Sequence, residues 1–170
     1  MKNIVLVGFM GTGKSVVAKE VAKRLGRQYV SMDKMIEDKE GKPIKEIFAK
    51  DGEEYFRKIE KEITKELSHK DGLVIDAGGG VVIDDENVRN LKSHGTMVCL
   101  SASPDVILSR TAPSKDRPLL NTPDPKRRIE ELLAARAAHY AKADFHIDTS
   151  DKKISYVIEE VIRISNEAGD

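Results

Sequence analysis

An apolar run that breaks into a glycine loop constrains this chain more than any other feature. Residues 2–7 read Lys-Asn-Ile-Val-Leu-Val, a short run rich in apolar and β-branched side chains. The next eight, Gly8-Phe9-Met10-Gly11-Thr12-Gly13-Lys14-Ser15, match the pattern G-x-x-x-x-G-K-S/T. Val17, Val21 and Leu25 then recur at helical spacing, and Gly26 supplies a stop. Strand, glycine loop and helix in that order are the setting in which this pattern binds phosphate. The glycines let the backbone wrap an anion, and successive N–H groups from Gly11, Thr12, Gly13, Lys14 and Ser15 point inward. The helix behind the loop aims its positive end at the same place. Lys14 can reach the β- and γ-phosphates, and the Ser15 hydroxyl can ligate Mg²⁺. The pattern therefore implies a nucleoside triphosphate.

Composition bounds the remaining possibilities. At 170 residues the chain is expected to form one domain with a proper core. Lysine plus arginine equals aspartate plus glutamate at 29 each, so no global field favours nucleic acid or an anionic membrane. Tryptophan is absent and aromatics make up 5%, which argues against a base-stacking platform. The single cysteine, Cys99, sits in the apolar run Met97-Val98-Cys99-Leu100 and reads as a buried thiol in a reducing compartment. The first apolar run is too short for a signal peptide, and no stretch is long enough to cross a bilayer. A cytoplasmic protein is the expectation. No large exposed apolar stripe is evident, which favours a monomer. His69, His94, His139 and His146 lack metal-ligand spacing.

Further strands are expected over 29–31, 73–76, 96–101 and 145–147. Met32 and Asp33 are expected ahead of a polar helix that ends by Gly41. Helices are expected from Ile44 to Asp51, from Glu53 along the stripe Phe56, Ile59, Ile63 and Leu67, and on the far side of a turn from Val81 to Leu91. Ser103-Pro104 reads as a cap with proline at the first helical position, and two more helices cover 126–140 and the stripe Ile154, Val157, Ile158 and Val161. Five of the six prolines lie between Pro104 and Pro125, and a charged, proline-bearing segment of this kind is more often a functional loop than a connector. Alternating strands and helices predict a three-layer αβα fold around a five-stranded parallel sheet. Ligands in such folds sit beyond the carboxyl ends of the strands, here the loop at Gly8, residues Ser31 to Asp33, and Asp76 to Gly80.

A nucleotide site does not say where the phosphate goes. Asp33 could accept a proton from a substrate hydroxyl, or could simply cap a helix. Arg57 lies off the apolar stripe of its helix, where an arginine is usually solvated. Gly78-Gly79-Gly80 permits close approach to backbone, and three glycines exceed what a turn requires. Arg136 is a charge among small apolar residues, either functional or snorkelling to the surface.

Together these features make the chain resemble the shikimate kinases, along nearly its whole length. The resemblance is carried by Gly8–Ser15, Leu25-Gly26, Asp33 with Ile36-Glu37, Gly52-Glu53, Phe56-Arg57 with Glu60, Gly78–Gly80, Arg117-Pro118-Leu119-Leu120, and Arg136 with Tyr140. It implies a P-loop NTPase fold with a mobile lid, and phosphorylation of the 3-hydroxyl of shikimate by ATP with Mg²⁺. By the same resemblance Asp33 activates the hydroxyl, and Arg57 and Arg136 grip the carboxylate with Gly78, Gly79 and Gly80 closing round the ring. Arg110 is similar in place to an arginine that packs on adenine, and Arg117 lies in the lid. The substrate-binding region would span about 33–61 and the lid about 112–124. The family usually carries Asp-x-Asp after the second strand, its first aspartate helping to hold Mg²⁺. Here the segment is Ser31-Met32-Asp33, and Asp76, which ends an apolar strand, is the candidate to serve with Ser15 at the metal. A kinase for another small hydroxylated substrate, such as gluconate or a nucleotide, and a catalytically silent ATP-binding relative are the competing readings.

Overall fold

The computed structural model describes residues 1–114 and 118–168. Its five strands are β1 (Asn3–Val7), β2 (Gln28–Ser31), β3 (Leu73–Asp76), β4 (Gly95–Ser101) and β5 (Phe145–Asp148). They form one parallel sheet in the order β2-β3-β1-β4-β5. Eight α-helices are described: α1 (Lys14–Leu25), α2 (Met32–Glu40), α3 (Ile44–Lys50), α4 (Gly52–Leu67), α5 (Asp85–Ser93), α6 (Pro104–Thr111), α7 (Pro125–Tyr140) and α8 (Ile154–Ala168). Short 3-10 turns cover Val81–Ile83 and Pro118–Leu120.

The central strands are apolar throughout because both faces of the sheet are covered. Side chains alternate along each strand, so the three central strands feed two cores. Val5, Val7, Ile75, Met97 and Cys99 face α2 to α7, with Ile36, Ile47, Ile59, Ile107 and Ile129 packed against them. Ile4, Leu6, Val74, Val98 and Leu100 face the other way onto α1 and α8, through Val17, Val21, Val157 and Val161. Each such side chain, fully buried, contributes about 1.5–3 kcal/mol. The expected three-layer arrangement is therefore observed, with strand limits within about a residue of those read from the sequence. Burial pushes the Cys99 thiol up to about 11, so it stays a neutral part of the core.

Two features of the backbone set up the strand ends. Gly8 leaves β1 at φ 138°, where a Cβ would collide with the Leu100 carbonyl, so only glycine lets the chain turn from strand into loop there. At the edge of the sheet α2 begins two residues earlier than the sequence suggests. Met32 and Asp33 lie inside its first turn, and the Ser31 hydroxyl caps the helix by accepting from the Lys34 N–H at 3.2 Å. Ser31, not Asp33, is thus the capping residue. The Asp33 carboxylate is left at the mouth of the strands, on the first turn of a helix whose dipole favours it.

Candidate active site

The carboxyl ends of β1, β2 and β3 open into one cleft of about 850 Å³, which runs from Lys14 and Ser15 at one end to Arg57 and Arg136 at the other. At the nucleotide end, the glycine loop is braced from within. The Phe9 carbonyl accepts from Thr12 Oγ1 at 2.7 Å and from Lys14 Nζ at 3.1 Å. The lysine thus rests on its own loop, close to where phosphate oxygens would replace that carbonyl. Beside the loop lies a smaller pocket of about 280 Å³, with Val17, Ile154 and Val157 as apolar lining and Arg110 as one wall. Arg110 is held there by three bonds of 3.1 Å: Nη1 donates to the Gly11 carbonyl and Thr149 Oγ1, and Nη2 to the Thr149 carbonyl. A slot that is apolar below and cationic at the side suits a purine base.

Asp76 closes β3 opposite the start of α1, and it is 8% exposed. It faces the same side as Val74, towards α1. Its Oδ2 accepts from Ser15 Oγ at 2.5 Å and from the Tyr29 hydroxyl at 3.1 Å. Burial and the neighbouring Asp76 charge push the Tyr29 phenol up to about 12, with Ser31 pulling weakly the other way, so the phenol keeps its proton and donates. Strand pairing sets Ser31 directly beside Asp76. This donor set fits Mg²⁺, which keeps several waters and takes one or two carboxylates besides substrate phosphates. A serine hydroxyl that donates its proton to a carboxylate presents its lone pairs to a cation.

At the far end, side chains from three helices close on Gly78–Gly80. None of these glycines has a positive φ, so room rather than conformation explains them. A Cβ on Gly78 would lie 3.1 Å from Glu60 Oε2 and 3.4 Å from Asp33 Oδ1. One on Gly79 would lie 3.3 Å from the Gly8 carbonyl, and one on Gly80 would fall on the Arg57 guanidinium. Arg57 sits over the Phe56 ring at 5.2 Å, with Nη1 on Glu60 Oε1 at 2.8 Å and Nη2 on Glu53 Oε1 at 3.3 Å. Arg136 is 6% exposed, 5.7 Å above the Phe9 ring, and donates to the Gly79 carbonyl at 3.4 Å. The same carbonyl accepts from the Tyr140 hydroxyl at 2.5 Å. Neither arginine is the solvated surface residue that its position alone would suggest. Arg136 in particular does not snorkel; it is enclosed.

The structure thus brings Lys14, Ser15, Asp33, Arg57, Asp76, Gly78, Gly79, Gly80 and Arg136 to one cleft, with Gly11, Thr12, Gly13 and Arg110 around the adjoining pocket. Arg117 lies outside the described residues, within the segment expected to form the lid. Leu119 of the following 3-10 turn lines the cleft. Sequence reasoning assigned no role to Glu60, Tyr29, Tyr140 or Thr149. Glu60 is a 1% exposed carboxylate whose proton affinity burial raises, opposed by Arg57. Its one sequence signal is a charge three residues after Arg57, on the buried side of α4.

The family model for shikimate kinase matches residues 10–165. The shikimate kinase of Caldanaerobacter subterraneus subsp. tengcongensis is 50% identical over 163 residues, 96% of this chain and 95% of that protein. That of Thermodesulfovibrio yellowstonii is 50% identical over 163 residues, 96% of this chain and 94% of its own. Among solved structures, the shikimate kinase from Acinetobacter baumannii in complex with shikimate superposes with a TM-score of 0.93 at 34% identity, covering 99% of this chain and 94% of that one.

Proposed function

The chain belongs to the shikimate kinase family, and from that membership we propose which of its residues phosphorylate shikimate. The reaction moves the γ-phosphoryl group of ATP to the 3-hydroxyl of shikimate, leaving ADP and shikimate 3-phosphate on the route to aromatic amino acids. The observation that carries the assignment is the gathering of Asp33, Arg57 and Arg136 around Gly78–Gly80, across one cleft from Lys14 and Ser15.

Phosphoryl transfer asks the protein mainly for positioning and for neutralising charge. Arg57 and Arg136 bind the shikimate carboxylate, since a planar guanidinium bonds both oxygens of a carboxylate where an ammonium cannot. Glu60 holds Arg57 at its aim, and the carbonyl of Gly79, gripped by Tyr140 and Arg136, fixes the wall against which the ring lies. Asp33 orients the 3-hydroxyl and accepts its proton as the oxygen bonds to phosphorus and the bridge to the β-phosphate breaks. Lys14 leaves the Phe9 carbonyl for the phosphates, joined by the loop N–H groups of Gly11 to Ser15. Arg110 flanks the adenine. Mg²⁺ would be held by Ser15, with Asp76 taking the hydroxyl proton of Ser15 by hydrogen bond. Held there, Mg²⁺ would supply positive charge against that of the phosphates. A lid over about 112–124 would exclude water, while about 33–61 bind the acceptor. One domain, a monomer in the cytoplasm, completes the reading; among the described residues no helix is long and apolar enough to cross a membrane.

The test is ADP release in a coupled assay with shikimate, gluconate or AMP offered separately. Turnover confined to shikimate is expected. Turnover with gluconate or AMP instead, or with none of the three, would overturn the assignment.

A further inference from the structure

We infer that Tyr29 is a positioning residue for the metal-side carboxylate: its hydroxyl holds Asp76 on the Ser15 hydroxyl and thereby sets how tightly the nucleotide-bound Mg²⁺ is retained. This rests on the reading of Ser15 and Asp76 as the metal end of the site.

Three observations lead to it. First, both hydrogen bonds to Asp76 converge on one oxygen, Oδ2: Ser15 Oγ at 2.5 Å from α1 and the Tyr29 hydroxyl at 3.1 Å from β2. A carboxylate held by one donor can rotate about its Cβ–Cγ bond. Two donors from different elements fix that rotation, leaving Oδ1 of a residue that lines the cleft to accept from water around an ion. Second, Tyr29 is built for the reach. It pairs with Val74 across the β2–β3 ladder and lies on the same face as Asp76, so its ring spans the diagonal to a residue two places further along. The ring packs against the α1–α8 core, and Lys19 Nζ of α1 lies 5.6 Å from its centroid. A half-buried tyrosine on an edge strand with its hydroxyl on a carboxylate is not there for packing alone, since phenylalanine would pack as well.

Third, the position beside Asp76 in the sheet holds Ser31, which caps α2 and carries no charge. One carboxylate must then do what a pair could share, and the orientation of a single carboxylate matters more. Asp76 cannot move to meet the ion without losing either the hydroxyl that ligates it or the phenol behind it. Tyr29 touches neither substrate nor metal, so it acts only through Asp76.

The experiment measures ADP binding by calorimetry to the full chain, in EDTA and across a Mg²⁺ titration, for wild type, Tyr29→Phe, Asp76→Asn and the double variant. Tyr29→Phe removes one oxygen and leaves the ring. It should raise the Mg²⁺ concentration for half-maximal enhancement of ADP affinity by about three- to tenfold, the effect of losing part of a hydrogen bond to a charged group. ADP affinity in EDTA, shikimate affinity and the unfolding midpoint should stay near wild type. Asp76→Asn should raise the Mg²⁺ requirement further, and the double variant should match Asp76→Asn alone, because the phenol then has no carboxylate to hold. If Asp76→Asn shifts the requirement and Tyr29→Phe does not, or if the two effects add, the role of Tyr29 is overturned and that of Asp76 stands. If Asp76→Asn leaves the requirement unchanged, the metal reading fails and the role of Tyr29 with it.

Discussion

Gly80→Ala separates folding from acid binding in a way few substitutions here can. Gly80 has φ −104° and ψ 3°, a conformation open to alanine. Lost chain freedom in the unfolded state would by itself favour the variant by about 0.4–1 kcal/mol. The added methyl, however, would stand 2.8 Å from Cζ of Arg57, with both Nη atoms nearer still. These atoms end a flexible side chain, so Arg57 can swing aside towards Glu53 at small cost to the fold. What it loses is its aim at the carboxylate. Hydrogen bonds to charged groups contribute about 1.5–3 kcal/mol each, and a two-pronged grip loses about 3 kcal/mol when only one arm is misplaced. At about 1.4 kcal/mol per decade, KM for shikimate should rise on the order of a hundredfold. KM for ATP should stay within about twofold, because the loop and the Arg110 pocket are untouched. Steady-state kinetics with each substrate varied in turn, beside a thermal unfolding curve, give the three numbers needed. A folded variant with unchanged KM for shikimate would refute the placing of Arg57 on the acid. So would an equal rise in both KM values.

Lys14→Ala should lower kcat by about 3 kcal/mol of transition-state stabilisation, at least a hundredfold, with the fold retained; near-normal turnover would remove the loop from the chemistry. Arg136→Lys should raise KM for shikimate well above any change in KM for ATP, because an ammonium cannot bond both oxygens. It should also lower the unfolding midpoint by a few degrees, since Arg136 is enclosed between Phe9 and Gly79; an unchanged midpoint would argue against that enclosure. Glu60→Gln should raise KM for shikimate by freeing Arg57. Burial raises the proton affinity of Glu60 in the fold, so its contribution to stability is present at acid pH and lost as pH rises. Wild type should therefore gain on the glutamine variant as pH falls from neutrality towards the ordinary carboxylate range, and a difference in midpoint independent of pH would contradict this.

Much of the fold was legible because β1, β3 and β4 are buried on both faces and read as unbroken apolar runs bounded by glycine. The glycine loop was legible because its residues are contiguous. The start of α2 was misjudged because serine and aspartate cap helices equally well, and only the Lys34 N–H decides between Ser31 and Asp33. The local sequence left Arg136 open between a functional and a snorkelling residue because what encloses it comes from far along the chain: Gly79 is 57 residues away, and Phe9 is further. Tyr29 stayed invisible for the same reason, with its partner Asp76 47 residues on in the neighbouring strand. Glu60 was nearest to being found, one turn from Arg57, yet a carboxylate on an apolar stripe carries no sign of which cation it serves.

The pairing of Ser31 with Asp76 means that the sheet offers two adjacent seats for one negative charge. Serine and aspartate are interchangeable as caps of α2, so exchanging them there leaves the helix nearly indifferent. Neighbouring strands lie about 4.8 Å apart, and two carboxylates at that spacing repel by about 3 kcal/mol at an effective dielectric constant of ~20 when no cation lies between them. Filling both seats burdens the empty enzyme, and filling neither starves the ion. A lineage can therefore move the charge from one strand to the next in two substitutions, passing through an intermediate that folds but differs in its hunger for magnesium. In this chain the charge sits on β3, and the seat on β2 serves the helix.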